Sequence, residues 1–397
     1  MKNEAKIRFK KYNDVWENVK LTEIVPIVMG QSPDSKNYTD NPNDYILVQG
    51  NADMQNGRVV PRLWTTQITK LAEKGDLILS VRAPVGDIGK TDYNVVLGRG
   101  VAAIRGNEFI FQLLSRMKQT NYWAKFSTGS TFESINSSDI KLAEIYLPSQ
   151  EEQSAIGSLF RNIDDLLASY KDNLINYQSL KATMLSKMFP KAGQTVPEIR
   201  LDGFDGEWEK VKLKDVTESI EYGVNASAKE FDGENKYIRI TDIDDVSRKF
   251  KEDSLTSPDI DVSECDNYLL CEKDILFART GASVGKTYLY VKKDGKVYFA
   301  GFLIRARIKD KFDSKFIFQN TLTDRFTQYV KVTSQRSGQP GVNGKEYGEY
   351  ELYLPNYEEQ QAIGAYFSNL DNLINSYQEK ISQLEILKKK LLQDMFI

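Results

Sequence analysis

Between Leu147 and Phe189 apolar or aromatic side chains return every three or four positions, at Ile156, Leu159, Ile163, Leu166, Tyr170, Tyr177, Leu180 and Met184, with a polar break at Asn173. That period predicts one long helix carrying a coiled-coil-like seam. The pattern is written again 207 residues later, as Ile363, Tyr366, Leu370, Leu373, Tyr377, Leu384, Leu387 and Leu391, and the break falls in the same layer, at Lys380. Between 147–189 and 354–396, nineteen of 43 gap-free positions are identical, so the chain contains an internal repeat. A second flank widens the stripe: Phe160, Leu167, Leu174 and Met188 in the first copy, Phe367, Ile374, Ile381 and Met395 in the second. This exceeds a two-stranded seam, and predicts that each helix buries the extra flank against another domain or subunit. Each copy opens on a capping-box pattern, Ser149 with Glu152 and Asn356 with Glu359, after a proline. About 35 helical residues make a rod of roughly 50 Å.

The stretches before the helices follow another rhythm. Short β-branched or aromatic runs such as YILVQG, GDLILSV, KYIRITDI and VYFAGFLIRARI alternate with glycine turns, and helical stretches such as EFIFQLLSRMKQTNYWAKF follow them. VWENVKLTEI at 15–24 matches EWEKVKLKDV at 207–216, and GDLILSVRAPVGDIGK matches KDILFARTGASVGK, so the repeat extends upstream in weaker form. The expected fold is α+β: two mixed α/β domains, 1–146 and 202–353, separated by two long antiparallel helices, 147–189 and 354–397, about a pseudo-twofold axis. Residues 190–201, PKAGQTVPEIRL, read as an extended linker.

Composition narrows the chemistry. The 397 residues include no histidine and two cysteines, Cys265 and Cys271, which excludes Ser-His-Asp systems and His-ligated metals and predicts reduced thiols. TGASVGKT at 280–287 imitates a phosphate-binding loop, but only three residues separate Gly281 from Gly285, where that loop needs four. NPNDY at 41–45 resembles the Asn-Pro-Pro-Tyr signature of amino-methyltransferases, yet it lacks the second proline and carries an inserted residue. TDIDD at 241–245 reads as a solvated turn. No apolar run is long enough to cross a bilayer and the N-terminal stretch lacks a signal-peptide core, so the expected location is the cytoplasm. The net charge of −3 gives no bulk attraction to nucleic acid.

The repeated LPxxEEQxAIG helices, the RAPVG and RTGASVGK turns and the KMFPKAGQTVPEIRLDGFDGEWEKVKL junction together resemble the specificity subunit of type I restriction-modification systems. The resemblance implies two target-recognition domains, each reading half of a bipartite asymmetric site on double-stranded DNA, held apart by the helices. It implies a non-catalytic chain that joins two methyltransferase subunits and two restriction-translocase subunits. Those partners, not this chain, would use S-adenosylmethionine, ATP and Mg2+. Composition and resemblance together nominate three sets of DNA contacts: Gln31 and Ser32 with Asn225 and Lys229; then Arg82 and Lys90 with Arg279, Thr280 and Lys286; then Ser130 and Thr131 with Arg336, Ser337 and Gln339. The wide flank, Phe160 to Met188 and Phe367 to Met395, becomes the expected methyltransferase surface. A scaffold without DNA readout and a nuclease or methylase acting alone are the rival classes.

Overall fold

A computed structural model describes residues 5–126, 133–262, 265–335 and 339–397. The chain divides into two compact units, residues 1–170 with 380–397, and residues 171–379.

In the first unit the strands of three or more residues are β1 (Glu17–Lys20), β2 (Ile27–Met29), β3 (Tyr45–Val48), β4 (Leu77–Ser80), β5 (Ile88–Lys90), β6 (Val95–Leu97), β7 (Val101–Ile104) and β8 (Glu144–Leu147). The order β2-β7-β4-β5 is antiparallel throughout, and β6 lies parallel to β3 in a second sheet. Every residue of β4 and β7 is buried, which fits their unbroken apolar or small-residue sequences. Helix α1 (Glu108–Gln119) starts where Asn107 Oδ1 accepts the Ile110 amide at 3.0 Å. It buries Phe109, Ile110, Leu113, Leu114 and Met117. Phe109 packs on Trp16 and Phe396, with ring centroids 5.8 and 5.1 Å apart. The β1–β8 ladder closes the domain beside the start of the long helix α2 (Gln150–Lys187).

The second unit repeats the plan with β9 (Glu209–Lys212), β10 (Thr217–Tyr222), β11 (Lys236–Ile238), β12 (Asp274–Ala278), β13 (Thr287–Leu289), β14 (Val297–Phe299), β15 (Leu303–Ile308) and β16 (Glu351–Leu354). The order β10-β15-β12-β13 is again antiparallel, β11 and β14 are parallel, and β9 pairs with β16. Helices α3 (Ser314–Asn320) and α4 (Asp324–Thr333) follow the sheet, and Phe316 of α3 packs on Trp208 and Phe189. The last helix is α5 (Tyr357–Asp394).

Both long helices have 38 residues, and each compact unit takes a stretch of both. In the first unit the stretches run antiparallel: Phe160 meets Phe396, Asp164 pairs with Lys388 at 2.6 Å, and Lys380 lies over the Tyr170 ring. Gln112 of α1 donates to Asp164 at 2.9 Å, tying the domain to the helices. In the second unit Phe367 meets Phe189, Asp371 pairs with Lys181 at 2.6 Å, Tyr177 stacks on Tyr377, and Gln319 donates to Asp371. The phenylalanine, Asp–Lys and Gln–Asp contacts are copies of one arrangement, whereas the Tyr170 and Tyr177 contacts differ between the units.

Three expectations change. The cap side chains accept as predicted, Ser149 Oγ from the Glu152 amide and Asn356 Oδ1 from the Glu359 amide. The glutamates, however, form two-pronged ion pairs, Glu152 with Arg8 and Glu359 with Arg200, rather than closing a capping box. Residues 190–201 are not a free extended linker, since the Ile199 amide donates to Lys187 O at 2.9 Å and Arg200 holds Glu359. The first unit answers with its N-terminal stretch, whose Ile7 amide donates to Asp394 O at 2.9 Å.

The third change concerns the helix surface. Phe160, Leu167, Met188, Phe367, Ile374 and Met395 are buried and Leu174 and Ile381 half-buried within this chain, so six of the eight flank positions are covered by this chain itself rather than free for a partner. The physical reason is that the flank packs on the chain's own domains: Phe160 belongs to the first unit's core, Phe367 and Met188 to the second's. Four members of the expected seam, Leu166, Leu180, Leu373 and Leu387, are instead 36–45% exposed.

Candidate nucleic-acid interface

Four chain segments meet at one edge of each unit. In the first, the Gly30 amide donates to Val101 O and the Gln31 amide to Leu97 O, laying the early loop on the β6–β7 turn. The Val81 amide donates to Gly100 O, and the Ile135 amide to Val81 O, which adds the turn after β4 and the stretch before α2. In the second unit the Gly223 amide donates to Leu303 O and the Val224 amide to Phe299 O. The Arg279 amide donates to Phe302 O, and the Val342 amide to Arg279 O. Gly30 and Gly223 are required by backbone approach: a Cβ would stand 2.0 Å from Gly98 O in one case and 2.2 Å from Ala300 O in the other.

The side chains on this shared frame differ. In the first unit Gln31, Arg82 and Arg99 are exposed, and Ser32 Oγ accepts the Arg99 amide at 3.0 Å. Among the described residues, neither Arg82 nor Arg99 has a carboxylate partner. In the second unit Asn225, Phe302 and Gln339 are exposed, and the Arg279 guanidinium lies 5.0 Å from the Tyr222 ring centroid. Thr280 is half-buried and its backbone bridges to Gly341. Lys229 is exposed on a separate two-stranded ladder, with Asp259 4.0 Å away. Ser130, Thr131, Arg336 and Ser337 lie outside the described residues.

Two nominated lysines turn inward. Lys90 Nζ bonds Glu108 at 2.5 Å beneath α1. Burial pushes the Glu108 carboxyl up, but the Lys90 and Gln112 hydrogen bonds and the charges of Lys90 and Arg161 outweigh it and hold the group below its ordinary range. Lys286 is buried, donates to Ile243 O at 3.1 Å and pairs with Asp245. The imitation phosphate loop therefore has no free lysine to offer; with its neighbours it lines an open cleft of about 1060 Å³. TDIDD is a partly solvated turn, with Thr241 and Asp245 exposed, and its carboxylates are engaged locally: Asp242 holds Arg239, Asp244 accepts the Val246 and Ser247 amides, and Asp245 holds Lys286. Among the described residues no group of three acidic or cysteine side chains is placed to hold a metal ion, and none of the described helices is long and apolar enough to cross a membrane.

A family model described as the type I restriction modification DNA specificity domain matches residues 13–177 and again residues 205–386. The chain belongs to that DNA specificity family. Each match covers one mixed α/β domain and most of the helix that follows, so the family's domain occurs twice here. Two curated proteins of Methanocaldococcus jannaschii are similar. A type I restriction enzyme MjaX specificity subunit is 35% identical over 38% of this chain and 37% of its own length. The MjaVIII specificity subunit is 25% identical over 63% of this chain and 60% of its own length. The chain thus spans less than two thirds of either relative. The crystal structure of a type I restriction-modification S subunit from M. genitalium shares the fold, with a TM-score of 0.67, 16% identity and 99% of each chain covered.

Arg99, Tyr222 and Phe302 belong to the edge of this specificity-family chain but escape a reading of the sequence. Their signal is faint: in the repeat, LGRGV at 97–101 faces FAGFL at 299–303, a turn hidden within an apolar run.

Proposed function

We propose that each unit reads one half of a split, asymmetric sequence on double-stranded DNA, and that the two long helices set the gap between the halves. The observation that carries this reading is the common frame with unlike side chains: in the register of the repeated backbone bonds Gln31, Val81, Arg82 and Gly100 of one unit correspond to Val224, Arg279, Thr280 and Phe302 of the other. Gln31, Arg82 and Arg99 are thus exposed on the first edge and Asn225 and Phe302 on the second, beside Arg279. Arginine pairs with guanine edges and asparagine or glutamine with adenine, so the two edges have different readout chemistry. Phosphate contacts position the protein without specifying sequence. With a net charge of −3, part of the backbone neutralisation falls to partner subunits.

The chain itself carries no catalytic centre in this reading. Two methyltransferase subunits dock on the helices and supply S-adenosylmethionine chemistry, and two restriction-translocase subunits add ATP and Mg2+ chemistry, in the cytoplasm. The docking contacts are the repeated exposed leucines, Leu166 level with Leu387 in one unit and Leu180 level with Leu373 in the other, as the Asp164–Lys388 and Lys181–Asp371 pairs set the register. The test is selection of random duplexes by the complex of this chain with its cognate methyltransferase. Two short defined blocks around a fixed gap are expected; an undivided motif, or no enrichment by a stable complex, would overturn the reading in favour of a scaffold.

A further inference from the structure

Phe302 is the one phenylalanine among the described residues that is exposed, at 61% of its surface, whereas the others are buried or half-buried. It stands on the turn between β14 and β15, and the turn is tied down on all sides. The Leu303 amide donates to Ala300 O at 2.8 Å, the Gly301 amide to Val224 O at 2.7 Å, and the Arg279 amide to Phe302 O at 3.1 Å. The backbone that carries the ring is thus fixed at the edge where the early loop and the post-strand turn meet. Tyr222, itself exposed, lies under the Arg279 guanidinium on the same edge.

The first unit cannot copy this feature. There the equivalent carbonyl, bonded by the Val81 amide, belongs to Gly100, and a Cβ at that position would stand 2.1 Å from Gln49 O. Its turn offers Arg99 instead. Aromatic rings at DNA-reading edges act through apolar base surfaces, either the thymine 5-methyl group in the major groove or the face of a base at an opened step.

We propose that Phe302 is a specificity-determining contact of the second unit, its ring meeting an apolar base surface in the second half-site. The inference rests on the half-site reading given above and assigns it one residue and one chemistry. Phe302→Ala removes an exposed ring, so folding is expected to be unchanged, with thermal unfolding as the check.

The test measures binding of the methyltransferase complex to duplexes in which each base pair of both half-sites is replaced in turn. Phe302→Ala is expected to lose discrimination about tenfold at one base pair of the second half-site, with the first half-site unaffected and Phe302→Leu retaining part of the effect. Arg99→Ala should do the reverse, altering the first half-site alone. If uracil in place of thymine at that pair reproduces the loss, the contact is to the methyl group. If instead 2-aminopurine beside the step changes its fluorescence with the wild-type complex and not with Phe302→Ala, the ring meets a base face. Full discrimination by Phe302→Ala, in a complex whose wild type reads both half-sites, would overturn this inference and leave the half-site reading standing. A wild-type complex that discriminates at neither half-site would overturn both.

Discussion

The two loop edges and the two helix junctions of this chain behave in opposite ways. At the junctions the repeat is close to literal: Arg8 holds Glu152 as Arg200 holds Glu359, and Gln112, Asp164 and Lys388 are matched by Gln319, Asp371 and Lys181. At the edges only the backbone bonds repeat, and in their register Gln31, Val81, Arg82 and Gly100 stand against Val224, Arg279, Thr280 and Phe302. Groups buried against one another constrain both partners, since a change in one strands the other. Exposed groups on a fixed frame answer only to what they touch, so they are free to diverge.

The largest test of that contrast removes a junction arginine. Glu152 and Glu359 are buried, so Arg8→Ala or Arg200→Ala leaves an unpaired carboxylate and should cost about 3–5 kcal/mol in either unit. Denaturant unfolding should give similar losses for the two variants; a large inequality would break the equivalence of the junctions. At the reading edge, Arg82→Ala should lower discrimination at one base pair of the first half-site by about 1–3 kcal/mol while leaving stability within about 0.5 kcal/mol. Binding to a panel of single-substitution duplexes measures the first, thermal unfolding the second.

Exposed leucines on the helices sharpen the division between core and surface. Leu180→Asp combined with Leu387→Asp should leave the fold intact and weaken association with the methyltransferase, read by size-exclusion chromatography. Unchanged assembly would remove these residues from the docking surface. The smallest effect concerns pH. Glu108 has a depressed carboxyl pKa in the folded chain, so its pairing with Lys90 lends stability above the unfolded value of about 4.3 and loses it as pH falls through the lower folded value. The stability gap between wild type and Lys90→Met should therefore shrink on acidification from pH 6 towards pH 3. A constant gap would mean that the pair contributes nothing.

Much of the frame is legible in the sequence because it is periodic. The two helices and the cap residues Ser149 and Asn356 come from spacing alone. What covers the helices does not: periodicity shows that Phe160 and Phe367 are buried, but a stripe packed on its own domain and one packed on a partner look alike. The inward turn of Lys90 and Lys286 is hidden for a related reason, since the carboxylates that hold them, Glu108 and Asp245, are 18 and 41 residues away. One signal was available and faint. Ile7-Arg8-Phe9 and Ile199-Arg200-Leu201 stand at the same distance before Trp16 and Trp208, and the structure shows why: both stretches close onto the end of a long helix.

The most direct measurement is the methylome of a methylation-free host expressing the cognate methyltransferase, either with this chain or with a version whose residues 1–146 come from another family member. Half-site reading by separate units predicts a split motif for the wild type and, for the exchanged chain, replacement of one block with the other block and the gap kept. Replacement of both blocks, or an undivided motif in either strain, would contradict it.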